Sequence, residues 1–243
     1  RYGRQFPLLI KFLDINDKLS VQVHPDDEVA AERYDSLGKA EIWYVMDAKP
    51  GAKIYVGFKK DMTRDEFEER IESNTLTETL NYVDVKKGDV FFINAGTLHA
   101  IGGGILLAEV QQNCNTTYRV YDYGRLVDGK PRELHVEKAL DVTDTVPPTR
   151  SGDADGEKVA LDGAVSQDLC SCEFFKMSTL DVDGTYTFNV DNESFVSLLV
   201  TKGEGTVECG GTVVEIASGD SVFIPANLKA ELEGVAEILY SHI

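Results

Sequence analysis

Four residues spread through the first hundred positions carry donor atoms that a divalent cation accepts: Gln22, His24, Glu41 and His99. Together they offer one amide oxygen, two imidazoles and one carboxylate, with no thiolate. Such a set suits tetrahedral Zn²⁺, and Fe²⁺ or Mn²⁺ would also accept it. Because the set holds a single carboxylate, a bound divalent ion keeps net positive charge and stays a strong Lewis acid towards a carbonyl or hydroxyl oxygen. Each residue alone says little. A lone histidine on an apolar strand is more often a satisfied core residue, and Glu41 beside Trp43 also reads as an edge-strand charge.

Whether the four converge depends on the strands that carry them. The run from Val90 to Ala100, VFFINAGTLHA, has apolar residues on both sides of Asn94-Ala95-Gly96-Thr97, which predicts two strands meeting at a tight corner. His99 opens the second strand, a rigid mount for a ligand. Gln22 and His24 are two apart, so on a strand both project from one face, and Pro25 ends that strand. Glu41 lies on a third strand with the only tryptophan. The β-rich run from Pro7 to Leu13 and that from Leu19 to Val23 flank the polar cluster 14–18 and read as a hairpin. With Asn16-Asp17 as its turn, Lys11 falls opposite Gln22.

Around these strands the pattern stays β. Acidic residues at 26–28 open a short helix, and Thr63 with Glu66 forms a capping box that predicts helix over 64–73. A further short helix is expected around Val136 to Leu140. The polar stretch 149–158 reads as a linker between a first unit over 1–148 and a second all-β unit over 159–243. In that second unit GDSVFIPANLKA, from Gly219, echoes GDVFFINAGTLHA, from Gly88, one residue shorter at the corner. Lys229 stands where His99 would fall, and a protonated ammonium ligates no metal, so the second unit is expected to hold none. The fold class is therefore all-β: two antiparallel barrels of the jelly-roll or cupin kind with a few short helices.

The formal charge of -18, from 42 acidic against 24 basic residues, disfavours nucleic acid or an anionic membrane surface as partner. Four cysteines, Cys114, Cys170, Cys172 and Cys209, form neither a paired framework nor a CxxC zinc motif, so reduced thiols and a cytoplasmic setting are expected. No apolar run of membrane length and no leader pattern is visible. The chain opens on Arg1, which raises the expectation that an upstream segment has been removed.

The strings PLLIKFLDINDKLSVQVHPDD, GKAEIWYV, GAKIYVGFK, GDVFFINAGTLHAIGGGILLAEVQQ and TTYRVYDYGR together resemble type I mannose-6-phosphate isomerases in their short bacterial form. The likeness is strong from Phe6 to Arg125 and one of pattern beyond. It implies a zinc enzyme of two cupin barrels that converts mannose 6-phosphate and fructose 6-phosphate into one another, with ligands at His24, Glu41 and His99 and with Gln22 as a fourth in many members. It implies a catalytic arginine at Arg119, a planar permanent cation suited to an enediol's oxyanions, whose plainer reading is a surface salt bridge. Lys11 matches a lysine that serves either as proton shuttle or as phosphate contact. Ser20 and Lys39 match positions near the substrate phosphate, with surface roles as the alternative. Asn115 stands four before the arginine where relatives commonly carry aspartate, and its amide cannot do acid/base work. Asn94 replaces the proline common at the corner. Family members also carry about a half-domain before Phe6, so an open sheet edge is expected. An iron-dependent cupin oxygenase and a sugar-phosphate-binding cupin without turnover are the competing readings; Arg119, Lys11 and the ligand set speak against the second.

Overall fold

Alternating apolar and polar residues give short strands, and two of the sheets they form build the first unit. A computed structural model describes residues 6–148 and 153–243 of the chain; Arg1 to Gln5 and positions 149–152 of the expected linker lie outside the described residues. The chain divides into compact units over 1–152 and 153–243. In the first, the strands are β1 (Leu8–Ile15), β2 (Val21–Val23), β3 (Glu41–Ala48), β4 (Lys53–Phe58), β5 (Leu80–Asp84), β6 (Val90–Ile93), β7 (His99–Ile101), β8 (Ile105–Gln112) and β9 (Tyr118–Tyr121), followed by the two-residue pair β10 (Leu126–Val127) and β11 (Lys130–Pro131). One antiparallel sheet runs β1-β8-β3-β6 and the other β5-β4-β7-β2-β9.

The hairpin expected from β1 and β2 does not form. Strand β1 pairs with β8, so Lys11 faces Glu109 rather than Gln22, while β2 pairs with β7 and β9 in the other sheet. The reason lies at Gly102 to Gly104. There the β7–β8 connection crosses between sheets, and the β1–β2 connection follows it: the Gly104 N–H donates to the Ile15 carbonyl at 2.6 Å and the Leu19 N–H to the Ile101 carbonyl at 2.8 Å. Both crossings are close-packed against backbone. A Cβ on Gly103 would sit 2.8 Å from the Asn16 carbonyl oxygen.

Ile15, Val45, Ile54, Ile93, Ile101, Ile105 and Leu107 fill the space between the two sheets. The outer face of the second sheet is covered by helices α2 (Arg64–Glu72) and α3 (Val136–Val142) through Phe67, Ala139 and Leu140 on Val21, Val23 and Ala100. Phe67 meets Phe58 edge-on at 5.4 Å between ring centres. The Thr63 side chain caps α2 by accepting from the Glu66 N–H, as the capping box predicts. Between β2 and β3, α1 (Asp27–Tyr34) is capped by Asp26. The second sheet is thus clamped on both faces, and that holds β2 and β7 in place.

The second unit comprises β12 (Lys158–Leu161), β13 (Ala164–Ser171), β14 (Lys176–Asn189), β15 (Val196–Cys209), β16 (Thr212–Ala217), β17 (Ser221–Ile224) and β18 (Lys229–His242), all antiparallel. Its corner repeats that of the first unit in hydrogen bonding. The Gly96 N–H donates to His24 and Leu98 accepts from Gly57, while the Asn227 N–H donates to Asp191 and Leu228 accepts from Val190. Gly96 and Asn227 both have positive φ, 85° and 64°, which glycine and asparagine tolerate.

The sheet crossing yields a stability prediction. A Cβ on Gly102 would lie 2.3 Å from the Lys53 carbonyl oxygen, a backbone atom that cannot swing away. Gly102→Ala should therefore lower unfolding stability by about 1–3 kcal/mol, the usual cost of overpacking, in a denaturant titration. An unchanged midpoint would show that the crossing is looser than drawn.

Candidate metal centre

The inward faces of the two sheets divide into an apolar end and a polar end. At the polar end, paired strands set the residues in rows: Lys11, Glu109, Trp43 and Phe91 in one, Leu9, Gln111, Glu41 and Ile93 in the next. Across the facing sheet, His99, Gln22 and Arg119 form a row over β7, β2 and β9. His24 follows the end of β2. It is carried into the same space by Pro25 and the start of α1.

One ligand atom from each of His24, Glu41 and His99 lies within 4.8 Å of the others, and all three residues are buried. Glu41 Oε1 is 3.4 Å from His99 Nε2, and Glu41 Oε2 is 3.6 Å from His24 Nε2. Neither contact is an ion pair. Burial pulls His24 well below the usual imidazole range and His99 down to about 4, so both rings are neutral. The proton on each ring sits at the far nitrogen, because His24 Nδ1 donates to the Thr116 carbonyl at 3.0 Å and His99 Nδ1 to the Thr97 carbonyl at 2.8 Å. Both Nε2 lone pairs therefore point at the carboxylate. His24 Nε2 and Glu41 Oε2 have no hydrogen-bond partner. Three acceptor atoms thus face one another in a buried space, and carbonyl-anchored imidazoles beside one carboxylate are a donor set that could hold a divalent cation and that fits Zn²⁺.

Gln22 and Lys39 complete the surroundings. The Gln22 amide nitrogen is 3.3 Å from His99 Nε2 and its oxygen 3.5 Å from Ser20 Oγ, so the oxygen faces away from the cluster in this arrangement. Lys39 Nζ stands 3.4 Å from Glu41 Oε2. Burial nevertheless dominates Glu41 and raises its carboxyl above the ordinary value, with Lys39 opposing. Lys11 Nζ donates to Glu109 Oε1 at 2.7 Å and to Gln111 Oε1 at 2.5 Å. Arg119 stands apart from the cluster: Nη1 donates to the Glu133 carbonyl at 2.8 Å and Nε is buried without a partner. Asn94 and Asn115 are both exposed.

Sequence reasoning missed Glu109. It is buried, it joins Lys11 to the Trp43 indole, which donates to Oε2 at 3.1 Å, and burial raises its carboxyl, with Glu41 adding to the shift. The Trp43 ring in turn meets His99 edge-on at 5.4 Å. The signal was present in ILLAEVQQ, where Glu109 and Gln111 share one face of a strand whose other inward residues are apolar.

Two antiparallel sheets in jelly-roll arrangement, with a buried His, Glu and His cluster at one end, define the class: a cupin carrying a metal-type ligand set. Residues 166–243 match the family model for the mannose-6-phosphate isomerase cupin domain, and residues 1–56 match that for the type I phosphomannose isomerase catalytic domain. The chain is 38% identical to the mannose-6-phosphate isomerase ManA of Bacillus subtilis, over 99% of its own length and 76% of that protein's. It is 37% identical to the mannose-6-phosphate isomerase of Streptococcus mutans over 98% and 74%. The crystal structure of a mannose 6-phosphate isomerase from Bacillus subtilis superposes with a TM-score of 0.90 at 34% identity, covering 99% of this chain and 76% of that one. The chain belongs to the type I mannose-6-phosphate isomerase family.

The Trp43 indole is the neighbour most open to test. Trp43→Phe keeps an aromatic side chain of smaller volume and leaves Glu109 Oε2 buried without its donor, and the two losses together should cost at least about 1–3 kcal/mol of stability. Equal denaturation midpoints for variant and parent would mean the bond contributes nothing.

Proposed function

We propose that the protein interconverts mannose 6-phosphate and fructose 6-phosphate through an enediol, with one zinc ion held by His24, Glu41 and His99. The observation that carries the reading is the convergence of three buried acceptor groups, with His24 Nε2 left without a hydrogen-bond partner. When bound, zinc would supply Lewis-acid polarisation of the substrate's carbonyl and hydroxyl oxygens. Gln22 joins as fourth ligand if its amide turns over to present the oxygen.

The remaining work falls to the chain's own groups. Isomerisation takes a proton from C2 of the open-chain aldose and returns one to C1, and charge develops on the substrate oxygens in between. Arg119, one strand beyond Gln22 on the same face, would steady that charge through its planar guanidinium. Lys11 is the proposed proton carrier. An ammonium accepts no proton, and the Glu109 carboxylate at 2.7 Å takes the one that Lys11 must shed. Lys39 has three donors, one directed at Glu41, which leaves others for an anionic substrate, and Ser20 is the second proposed phosphate contact. The second unit would carry no metal. Its Lys229 begins β18 where His99 begins β7, and its interior is lined by Leu198, Val200, Leu232 and Ile238.

A coupled assay for fructose 6-phosphate formed from mannose 6-phosphate, on zinc-loaded and chelated protein, tests the reading. Activity should follow one zinc per chain, and His99→Ala should retain neither metal nor turnover. Oxygen uptake with iron and no ketose would replace the isomerase by an oxygenase.

The roles of Arg119 and Lys11 predict separate kinetics. Arg119→Ala should keep zinc and lose on the order of 10² to 10³ in kcat, with lysine a poor substitute. Lys11→Met should lower kcat with KM nearly unchanged, whereas loss of a phosphate contact would raise KM first. An Arg119→Ala enzyme within about threefold of the parent would remove that residue from the chemistry.

A further inference from the structure

We infer that residues 143–148, which follow α3, act as a strap that sets the orientation of the His99 ring as a ligand and holds the main chain of His24 beside it; the inference rests on the metal site proposed above. The strap leaves α3 in extended conformation, Thr143 having φ -77° and ψ 127°. It is pinned at three points. The Asp144 N–H donates to the Gly96 carbonyl at 2.8 Å, and the Thr145 carbonyl accepts from the Met62 N–H at 2.8 Å. Pro148 lies so close to Gly57 that a Cβ there would sit 2.4 Å from its Cδ.

The corner under the strap holds both histidines. Gly96 is the junction, since its carbonyl accepts from the strap while its N–H donates to the His24 carbonyl at 2.9 Å. One residue on, the Thr97 carbonyl accepts from His99 Nδ1 and thereby fixes both ring plane and tautomer. The Gly57 N–H, beside the strap's far end, donates to the Leu98 carbonyl at 2.7 Å. Contact between strap and corner is as tight at the side chains, for a Cβ on Gly96 would meet Asp144 Oδ2 at 2.8 Å. The corner is thus a short peptide span gripped from outside by residues 143–148, and from inside it orients the His99 ring and holds the His24 main chain, the His24 ring being set by the Thr116 carbonyl. Loss of a group hydrogen-bonded to a metal ligand typically costs about 10–100-fold in metal affinity, and the strap holds the Thr97 group that plays that part for His99 through its neighbour Gly96. None of the strap residues is itself a ligand, so their contribution separates cleanly from coordination.

Asp144→Pro removes the one backbone donor from strap to corner, and Thr143 already has the extended conformation that a following proline requires. Zinc affinity by chelator competition and the melting temperature of the metal-free protein are measured side by side. A positioning strap predicts zinc held about 10–100-fold more weakly, beyond any loss of metal-free stability. A strap that only stabilises the fold predicts a lower melting temperature with unchanged zinc affinity, and that result overturns the inference. Should Asp144→Pro fail to fold, Pro147→Gly with Pro148→Gly loosens the strap and keeps the donor. A several-fold weaker zinc affinity is then expected, and parental affinity counts against the strap. Parent protein that binds no zinc at all brings down the metal site itself, a failure distinct from that of the strap.

Discussion

Three buried acceptor groups that face one another, His24, Glu41 and His99, are the constraint on which the first unit turns. A buried polar atom without a partner costs on the order of 1–3 kcal/mol, and His24 Nε2 is left in that state, while Glu41 Oε2 has the Lys39 ammonium 3.4 Å away. Nothing local to either residue forces it. The arrangement exists because the far side of each ring is tied to a carbonyl, Thr116 for one and Thr97 for the other, so the near side has only the lone pair to offer. Burial then keeps both imidazoles neutral. Neutral rings are the form a cation can use.

The strands that meet this constraint come from distant parts of the chain. Glu41 stands on β3 in one sheet and His99 on β7 in the other, and the sheet crossings at 94–97 and 102–104 bring them face to face. Rigidity comes from layering. Helices α2 and α3 press on the outside of the sheet that carries Gln22, His99 and Arg119, and the apolar end of the interior supports it from within.

Much of this was legible in the sequence because it is local. Though His24, expected on one strand with Gln22, falls just past the end of β2, the small-residue corner before His99 and the capping box at Thr63 each depend on neighbours in the chain. Partner choice does not. The run from Pro7 to Val23 carries every mark of a hairpin, and the deciding information lay some ninety residues away, in three glycines that let β7 and β8 change sheets and take β2 and β1 with them. Glu109 escaped for a related cause: a lone acid on an apolar strand announces burial only once Lys11 and Trp43 are known to flank it. Family likeness supplied Arg119, which no spacing argument had singled out.

The corner occurs twice in one chain, with the same backbone bonds and the same positive-φ position, once ahead of a histidine and once ahead of a lysine. Whatever shapes that turn is therefore written into the main chain and indifferent to coordination. A duplicated module of this kind can lose its ion-binding side chains through drift and still close properly. Conversely, a copy that keeps them offers the ion a socket already formed. In the first unit the side chains of His24, Glu41 and His99 are held by backbone that the second unit shapes without them.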